Sequence, residues 1–173
     1  MMRRNDYLLV IGIDPDVDGS GVGVVVKKNE IRKHQFTLPQ LVDFLKETYN
    51  EVGPDYPMMV VIEAGWMNKG NYHLKNKGQH HASKIGEQIG RNHEVGRQIG
   101  AFCEYNNIPF EFVPPLRKCW KGKDGKISHE ELQDLMEGSV MFPYKGRTNQ
   151  ETRDAILLAM THSGIPLRIN RKK

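Results

Sequence analysis

Short apolar runs that end in turn residues organise the N-terminal part of the chain. Residues 7–13 form one such run, which is typical of a strand buried inside a sheet. Asp14 follows directly, and Pro15 cannot continue a central strand. An acidic side chain at the end of a buried strand is held rigidly, as a metal site requires, although Asp-Pro is also ordinary turn chemistry.

Two further strands are predicted to fold back beside the first. Gly19 and Gly21 are expected to permit a tight reversal, after which residues 22–27 form the second strand. A short turn at residues 27–29 leads to a third strand over residues 30–36. Three successive strands with short connections predict an antiparallel meander.

A predicted helix leads from the meander to another fully apolar strand. The helix ends before Gly53, and its apolar residues recur at helical spacing, namely Leu38, Leu41, Val42 and Leu45. The strand covers residues 58–62 and ends directly on Glu63. A helical crossover implies parallel, right-handed pairing with the earlier strands. If the partner is the first strand, Glu63 lies close to Asp14.

The second half of the chain is predicted to be mainly helical. A long helix over residues 82–107 contains four glycines, Gly86, Gly90, Gly96 and Gly100. Each costs about 1 kcal/mol relative to Ala, so we expect another backbone to approach, either from this domain's sheet or from a second subunit. A strand over residues 108–113 follows, and Ser128 with Glu131 forms a capping box that starts a short helix. The last helix runs from about residue 149 to about residue 163.

Composition limits the class of protein. A length of 173 residues with 38% hydrophobic and 27% charged residues predicts one soluble globular domain, with a basic tail at about 167–173. No apolar run is long enough to span a bilayer, and the basic N-terminus is not a secretory signal. Two cysteines give no disulfide framework. These features predict a cytoplasmic protein without a membrane partner.

The net charge of +4 is unevenly distributed along the chain. Residues 64–86 contain four lysines and no acid, and residues 112–127 contain five basic residues against Asp124 alone. Clustered charge of one sign predicts a polyanionic partner, with a solvated loop as the alternative. The candidate nucleic-acid-binding residues are the basic and stacking side chains of these segments: Trp66, Lys69, Tyr72, Lys75, Lys77, Arg117, Lys118, Lys121, Lys123 and Lys126.

Two other metal motifs are rejected. Residues 14–19 copy the start of a calcium-binding EF-hand loop, but Val25 stands where that loop needs Glu, and the flanking segments are predicted strands. Three histidines, His73, His80 and His81, match no structural zinc spacing, and no cysteine lies nearby in the sequence.

Four carboxylates are predicted at the ends of elements: Asp14, Glu63, Glu151 and Asp154. Glu151 and Asp154 share a face of the last helix, although acids there also complement the helix dipole. A cluster of acids needs a cation, and Mg²⁺ prefers oxygen ligands. Two such ions about 3.5–4 Å apart would stabilise both the attacking and the leaving oxygen in phosphodiester cleavage.

Three blocks of sequence carry a resemblance to a known family. They are Ile-Gly-Ile-Asp-Pro at residues 11–15, Val-Ile-Glu at residues 61–63, and Glu-Thr-Arg-Asp-Ala to Thr-His at residues 151–162. In this order and spacing the chain resembles the RuvC-type Holliday junction resolvases of the RNase H-like superfamily, from residue 7 to about residue 163.

The resemblance implies an α/β, RNase H-like fold with a five-stranded mixed sheet flanked by helices. It also implies a homodimer that nicks branched DNA with Mg²⁺ or Mn²⁺. The catalytic metal ligands would be Asp14, Glu63, Glu151 and Asp154, and the basic segment would include Arg117, Lys118 and Lys126.

Three alternatives remain open at this point. The chain could be a non-catalytic nucleic-acid-binding module with an RNase H-like fold, or an RNase H-like nuclease that acts on other DNA structures or on RNA. An ATPase of the actin-like superfamily is the weakest alternative, because 173 residues leave no room for its second domain.

Overall fold

Within the part of the chain that the structure describes, five strands form one mixed sheet. The structure is a computed structural model that describes residues 6–68, 79–137 and 146–167, and it describes residues 79–81 by their backbone alone. The strands are β1 (Leu9–Asp14), β2 (Ser20–Val26), β3 (Glu30–Phe36), β4 (Met58–Glu63) and β5 (Phe110–Val113). The helices are α1 (Leu38–Val52), α2 (Gln79–Tyr105), α3 (His129–Glu137) and α4 (Gln150–His162).

The strand order is β3-β2-β1-β4-β5, and it confirms the predicted mixed sheet. β1 pairs antiparallel with β2, and β2 pairs antiparallel with β3, which is the predicted meander. β4 lies parallel to β1 on its other side, and β5 lies parallel to β4. The crossover through α1 therefore places the second acidic strand end directly beside the first.

The alternation of side chains along the strands produces a core on each face of the sheet. On one face, Ile11 and Ile13 pack with the buried residues of α1 and α2. On the other face, Val10 and Ile31 pack with α3 and α4. The α4 helix is buried along most of its length, so its position on the sheet is closely determined.

Glycines in the strands allow α4 to lie directly on the sheet. A Cβ atom at Gly12 would lie 2.7 Å from the Ala159 amide nitrogen, and one at Gly23 would lie 2.5 Å from the Ile156 Cα. β2 begins at Ser20, earlier than predicted, so Gly21 lies within the strand, where a Cβ would collide with the backbone of α4. The predicted role of Gly21 in the reversal is therefore wrong, because its missing side chain serves helix packing.

The two glycine pairs of α2 lie in different surroundings. A Cβ at Gly96 would lie 3.0 Å from the Trp66 ring, and one at Gly100 would collide with the Phe112 ring. No atom of the described residues lies within 4 Å of a Cβ placed at Gly86 or Gly90. The second pair thus packs against side chains of this domain rather than a backbone, and only the first pair is available to a second subunit.

The predicted long helix is observed as Gln79–Tyr105 and the predicted last strand as Phe110–Val113, and the starts of α3 and α4 are capped. The Ser128 hydroxyl accepts from the Glu131 amide at 3.1 Å, and the Glu131 carboxylate accepts from the Ser128 amide at 3.1 Å, which is the predicted capping box. Asn149 caps α4 by accepting from the Thr152 amide at 2.9 Å. Among the described residues, no helix is long and apolar enough to cross a bilayer.

Candidate active site

Two acidic side chains stand at the ends of neighbouring parallel strands. Asp14 is the last residue of β1, and Glu63 is the last residue of β4. Ile13 pairs with Ile62 in the register of these strands, so the two acids follow at equivalent positions. The strand-end geometry predicted from the sequence is thus present.

A third acid reaches the same place from the helix layer. Asp154, in the first half of α4, lines a cavity of about 370 Å³ together with Asp14 and Glu63. Glu151 stands one turn earlier, against Gly21, and it does not line this cavity. Its charge is still close enough to contribute to the raised pKa of Asp14. The structure therefore brings three of the four predicted acids into one cavity and leaves the fourth beside it.

The acids disfavour one another's ionised forms. Burial raises the pKa of Asp14 well above its usual range, and the charges of Glu63 and Asp154 raise it further. Burial, followed by the charge of Asp154, raises the pKa of Glu63 to about 7. The pKa of Asp154 is raised by burial, although the charge of Lys126 opposes this effect. Such a cluster favours a bound cation.

Both oxygens of Asp154 have partners within the protein. Gln150 donates from Nε2 to Asp154 Oδ1 at 2.8 Å, and Lys126 Nζ lies 3.6 Å from Asp154 Oδ2. Arg153 holds Gln150 and the residue that follows Lys126, because its Nη2 donates to Gln150 Oε1 and its Nε donates to the Ile127 carbonyl, each at 2.9 Å. The neighbouring arginine thus couples the position of Asp154 to the loop that carries Lys126.

The chemistry of these side chains fits a hard divalent cation. Carboxylate oxygens from two strands and a helix are the ligands that Mg²⁺ prefers. In the residues that the structure describes, no group of three His, Cys, Asp or Glu side chains is arranged to hold a metal ion. In this arrangement the Lys126 ammonium group, rather than a metal ion, lies next to Asp154 Oδ2.

Basic side chains line the same cavity as the acids. Arg117, Lys118 and Lys126 all line it, and the charge of Lys118 counteracts the rise in the Glu63 pKa. Lys121 is exposed outside the cavity, where its backbone amide donates to Glu131 at 2.8 Å. Lys123 is exposed and lines a separate cleft. The basic loop therefore divides into a part at the acids and a part beyond them.

Trp66 is packed against the protein. Its ring makes edge contacts with His93 and Phe112 at centroid distances of 5.6 and 5.1 Å, and the Arg97 guanidinium lies 4.7 Å above it. Stacking of Trp66 on a nucleobase stays a prediction, and in this arrangement Arg97 already covers one face. The other candidates of this segment, namely Lys69, Tyr72, Lys75 and Lys77, lie outside the described residues, as does the tail at 168–173.

Two residues of α2 belong to the site although the sequence analysis did not single them out. His93 lines the acidic cavity, and a Cβ at Gly65 would lie 2.7 Å from His93 Nε2, so the glycine makes room for the imidazole. Asn92 donates to Asp16 at 3.0 Å and accepts from the Val17 amide at 3.0 Å, which secures the turn after β1. No local pattern marks either residue, because their partners are distant in sequence. The spacing of Gln150 and Asp154, four residues apart on a helix, could have revealed their contact.

Comparison with known proteins identifies the fold. No protein-family model matches the chain, and no curated protein matches it. A solved structure of RuvC from Thermus thermophilus in complex with a Holliday junction substrate is similar, with 18% identity and a TM-score of 0.53 over 90% of this chain and 93% of that chain. A second Thermus thermophilus RuvC structure shares 20% identity over 89% of this chain and 92% of that chain, with a TM-score of 0.48.

The first of these similarities, together with the mixed sheet, shows an α/β protein of the RNase H-like fold. Within that class the similarity is to RuvC, which confirms the resemblance drawn from the sequence at the level of the fold.

Proposed function

We propose that the protein is a Mg²⁺-dependent endodeoxyribonuclease that nicks branched DNA such as Holliday junctions. The observation that carries this proposal is one cavity that is lined by Asp14, Glu63 and Asp154 together with Arg117 and Lys118. Its position on a RuvC-like fold supports the choice of substrate, since that RuvC structure contains a Holliday junction. Acids for a cation and basic groups for phosphates are the two requirements of metal-assisted phosphodiester cleavage.

The residues have distinct roles in this proposal. Asp14, Glu63 and Asp154 would hold the cation, with Glu151 contributing from the side, and Mn²⁺ could replace Mg²⁺. The bound metal would supply activation of the attacking water and stabilisation of the leaving oxygen. Lys126, which lies 3.6 Å from Asp154 in this structure, would supply its ammonium group to a phosphate oxygen. Arg117 and Lys118 hold the DNA backbone across the cavity.

We also propose a homodimer that uses the first half of α2. Symmetric cleavage of two strands needs two sites, and a two-fold interface uses the same patch on each copy. Apart from the backbone of α2 itself, no atom of the described residues lies within 4 Å of a Cβ placed at Gly86 or Gly90. A second helix could therefore approach closely here without displacing any described residue.

The test is cleavage of a panel of labelled substrates in Mg²⁺ and in chelator. The panel contains a four-way junction, a flap, a linear duplex, a single-stranded RNA and an RNA–DNA hybrid. We expect nicking of the junction that needs Mg²⁺, is lost in Asp14→Asn, and is unchanged in Asp43→Asn, which alters an exposed acid on α1. Cleavage that persists in chelator, or a failure to cut any branched substrate, would contradict the proposal.

A non-catalytic nucleic-acid-binding module is the second candidate. The ion pair between Lys126 and Asp154 favours it, because that pair satisfies one of the acids without a metal. The two candidates differ in one experiment: a module would bind the junction without cutting it in either Mg²⁺ or Mn²⁺. Preferential cleavage of RNA or of the hybrid would instead assign the nuclease another substrate.

A further inference from the structure

Two additional clefts lie one after the other between the acidic cavity and the edge of the sheet at β3. The first, which we call the α4 cleft, has a volume of about 430 Å³ and is lined by residues including Lys123, His129, Arg147 and Arg153. It shares Ile127 with the lining of the acidic cavity. A second cleft lies next to the α4 cleft, on the side of β3.

The second cleft, which we call the β3 cleft, has a volume of about 420 Å³. It is lined by residues including Lys33, His34 and Asn149, and it shares Arg147 and Thr148 with the α4 cleft. The shared residues make the acidic cavity, the α4 cleft and the β3 cleft neighbours along one band of surface. This band ends at β3, an edge strand of the described sheet.

The lining of the two clefts is polar, and its charged side chains are mainly basic. Lys33, Lys123, Arg147 and Arg153 contribute positive charge, and Glu130 is the one acid among the described residues that line them. A polar lining does not suit an apolar ligand. Cations distributed along a band, rather than converging on one point, match the repeated charge of a nucleic-acid backbone.

The backbone that carries Arg147 is held on both sides. Lys33 Nζ donates to the Arg147 carbonyl at 2.7 Å, and Asn149 Nδ2 donates to Gln35 Oε1 at 2.8 Å, so β3 secures one side. Arg153 Nη1 donates to the Thr148 carbonyl at 2.6 Å from the other side. The Arg147 side chain is nevertheless exposed, and it lines both clefts. An exposed arginine on a well-anchored segment is suited to contact a ligand.

We propose that the α4 cleft and the β3 cleft together form a second nucleic-acid-binding surface, which holds the phosphate backbone of a DNA arm as it leaves the acidic cavity. This inference rests on the proposed function only in taking branched DNA as the ligand. Arg147 is the central contact, because it belongs to both clefts. The surface extends the binding region beyond the basic segments recognised in the sequence.

The test compares Arg147→Glu with Lys46→Glu, which makes the same charge change at an exposed position of α1. Binding of a labelled four-way junction is measured by fluorescence anisotropy in chelator, over a salt series from about 50 to about 200 mM. The junctions have either long arms or arms that are shortened in steps. For long arms, Arg147→Glu should weaken binding about tenfold, as expected for one lost charge-assisted contact. It should also reduce the log–log salt dependence by about 0.9. Lys46→Glu should change neither quantity.

Shortening the arms separates an arm contact from a contact at the cavity. Once an arm no longer reaches the clefts, Arg147→Glu and wild type should bind with equal affinity. Arg147→Gln, which removes the positive charge without adding a negative one, should show a smaller loss in the same direction. Both variants keep the backbone carbonyl that accepts from Lys33, and their melting temperatures check the fold.

Several outcomes would overturn the inference. If wild type binds the long-armed junction and Arg147→Glu equals Lys46→Glu at every salt concentration, the clefts do not contact DNA. An equal loss for long and short arms would place the contact at the acidic cavity. If Arg147→Glu binds DNA as wild type does but no longer binds polyglutamate, the surface is assigned to an acidic protein partner.

The inference and the proposed nuclease can fail separately. If wild type binds the junction but does not cleave it, the proposed nuclease is contradicted, whereas the binding surface is still supported by the loss of affinity in Arg147→Glu.

Discussion

Glu63→Gln should stabilise the metal-free protein at alkaline pH, because it removes a buried charge that its neighbours oppose. Burial and the charge of Asp154 raise the pKa of Glu63 from 4.5 to about 7. A pKa difference of this size corresponds to about 3 kcal/mol at about 1.4 kcal/mol per unit. Glu63 keeps some contact with solvent, so about 1–3 kcal/mol is expected to be observed.

The sign of the pH dependence follows from linkage. Because the folded-state pKa of Glu63 lies above the unfolded-state value, the folded protein binds the extra proton and is stabilised below about pH 4.5. That stabilisation is lost as the pH rises to about 7 and above. Glu63→Gln should therefore match wild type near pH 4.5 and exceed it at pH 8. For a chain of this length, the melting temperature should rise by roughly 3–10 °C at pH 8.

The assay is thermal unfolding in chelator across this pH range, for wild type, Glu63→Gln and Glu47→Gln. Glu47 is an exposed acid on α1, so its variant should follow wild type at every pH. Added Mg²⁺ should stabilise wild type at pH 8 and have a smaller effect on Glu63→Gln, because it binds the folded state through this carboxylate. If Glu63→Gln is less stable than wild type at pH 8, or if the difference does not depend on pH, the electrostatic account of the cavity is wrong.

Three further variants test the packing, the support of Asp154 and the dimer. Gly21→Ala should destabilise the protein by on the order of 1–3 kcal/mol or more in denaturant unfolding, because a Cβ collides with α4; an unchanged unfolding midpoint would show that α4 does not need this close approach. Arg153→Ala removes the hydrogen bonds that hold Gln150 and the Ile127 carbonyl next to Lys126, so junction cleavage under single-turnover conditions should fall about tenfold or more. Unchanged cleavage would show that this arginine does not position the site. Gly90→Leu should leave the fold intact and shift light scattering from dimer to monomer at micromolar concentration, whereas an unchanged dimer would place the interface elsewhere.

The sequence alone was sufficient for the elements and for the approximate location of the acids. Apolar runs, helical spacing and capping residues are local signals, and burial requires each run to face the core. The predicted third strand, residues 30–36, agrees with β3 in both its limits. Asp14 and Glu63 could be paired in advance, because a helical crossover between apolar strands brings parallel strand ends together.

Only the tertiary structure decided which side chains meet. Asp154 contacts Lys126, which precedes α3 in the chain, and Asn92 contacts Asp16 from a helix 76 residues away. Such contacts depend on how α2 and α4 lie on the sheet, and no local periodicity encodes them. The same reason explains why Glu151 lies beside the cavity rather than in it. The position of α4 is set by glycines in strands that are distant in sequence, so the exact composition of the site appears only once the layers have packed.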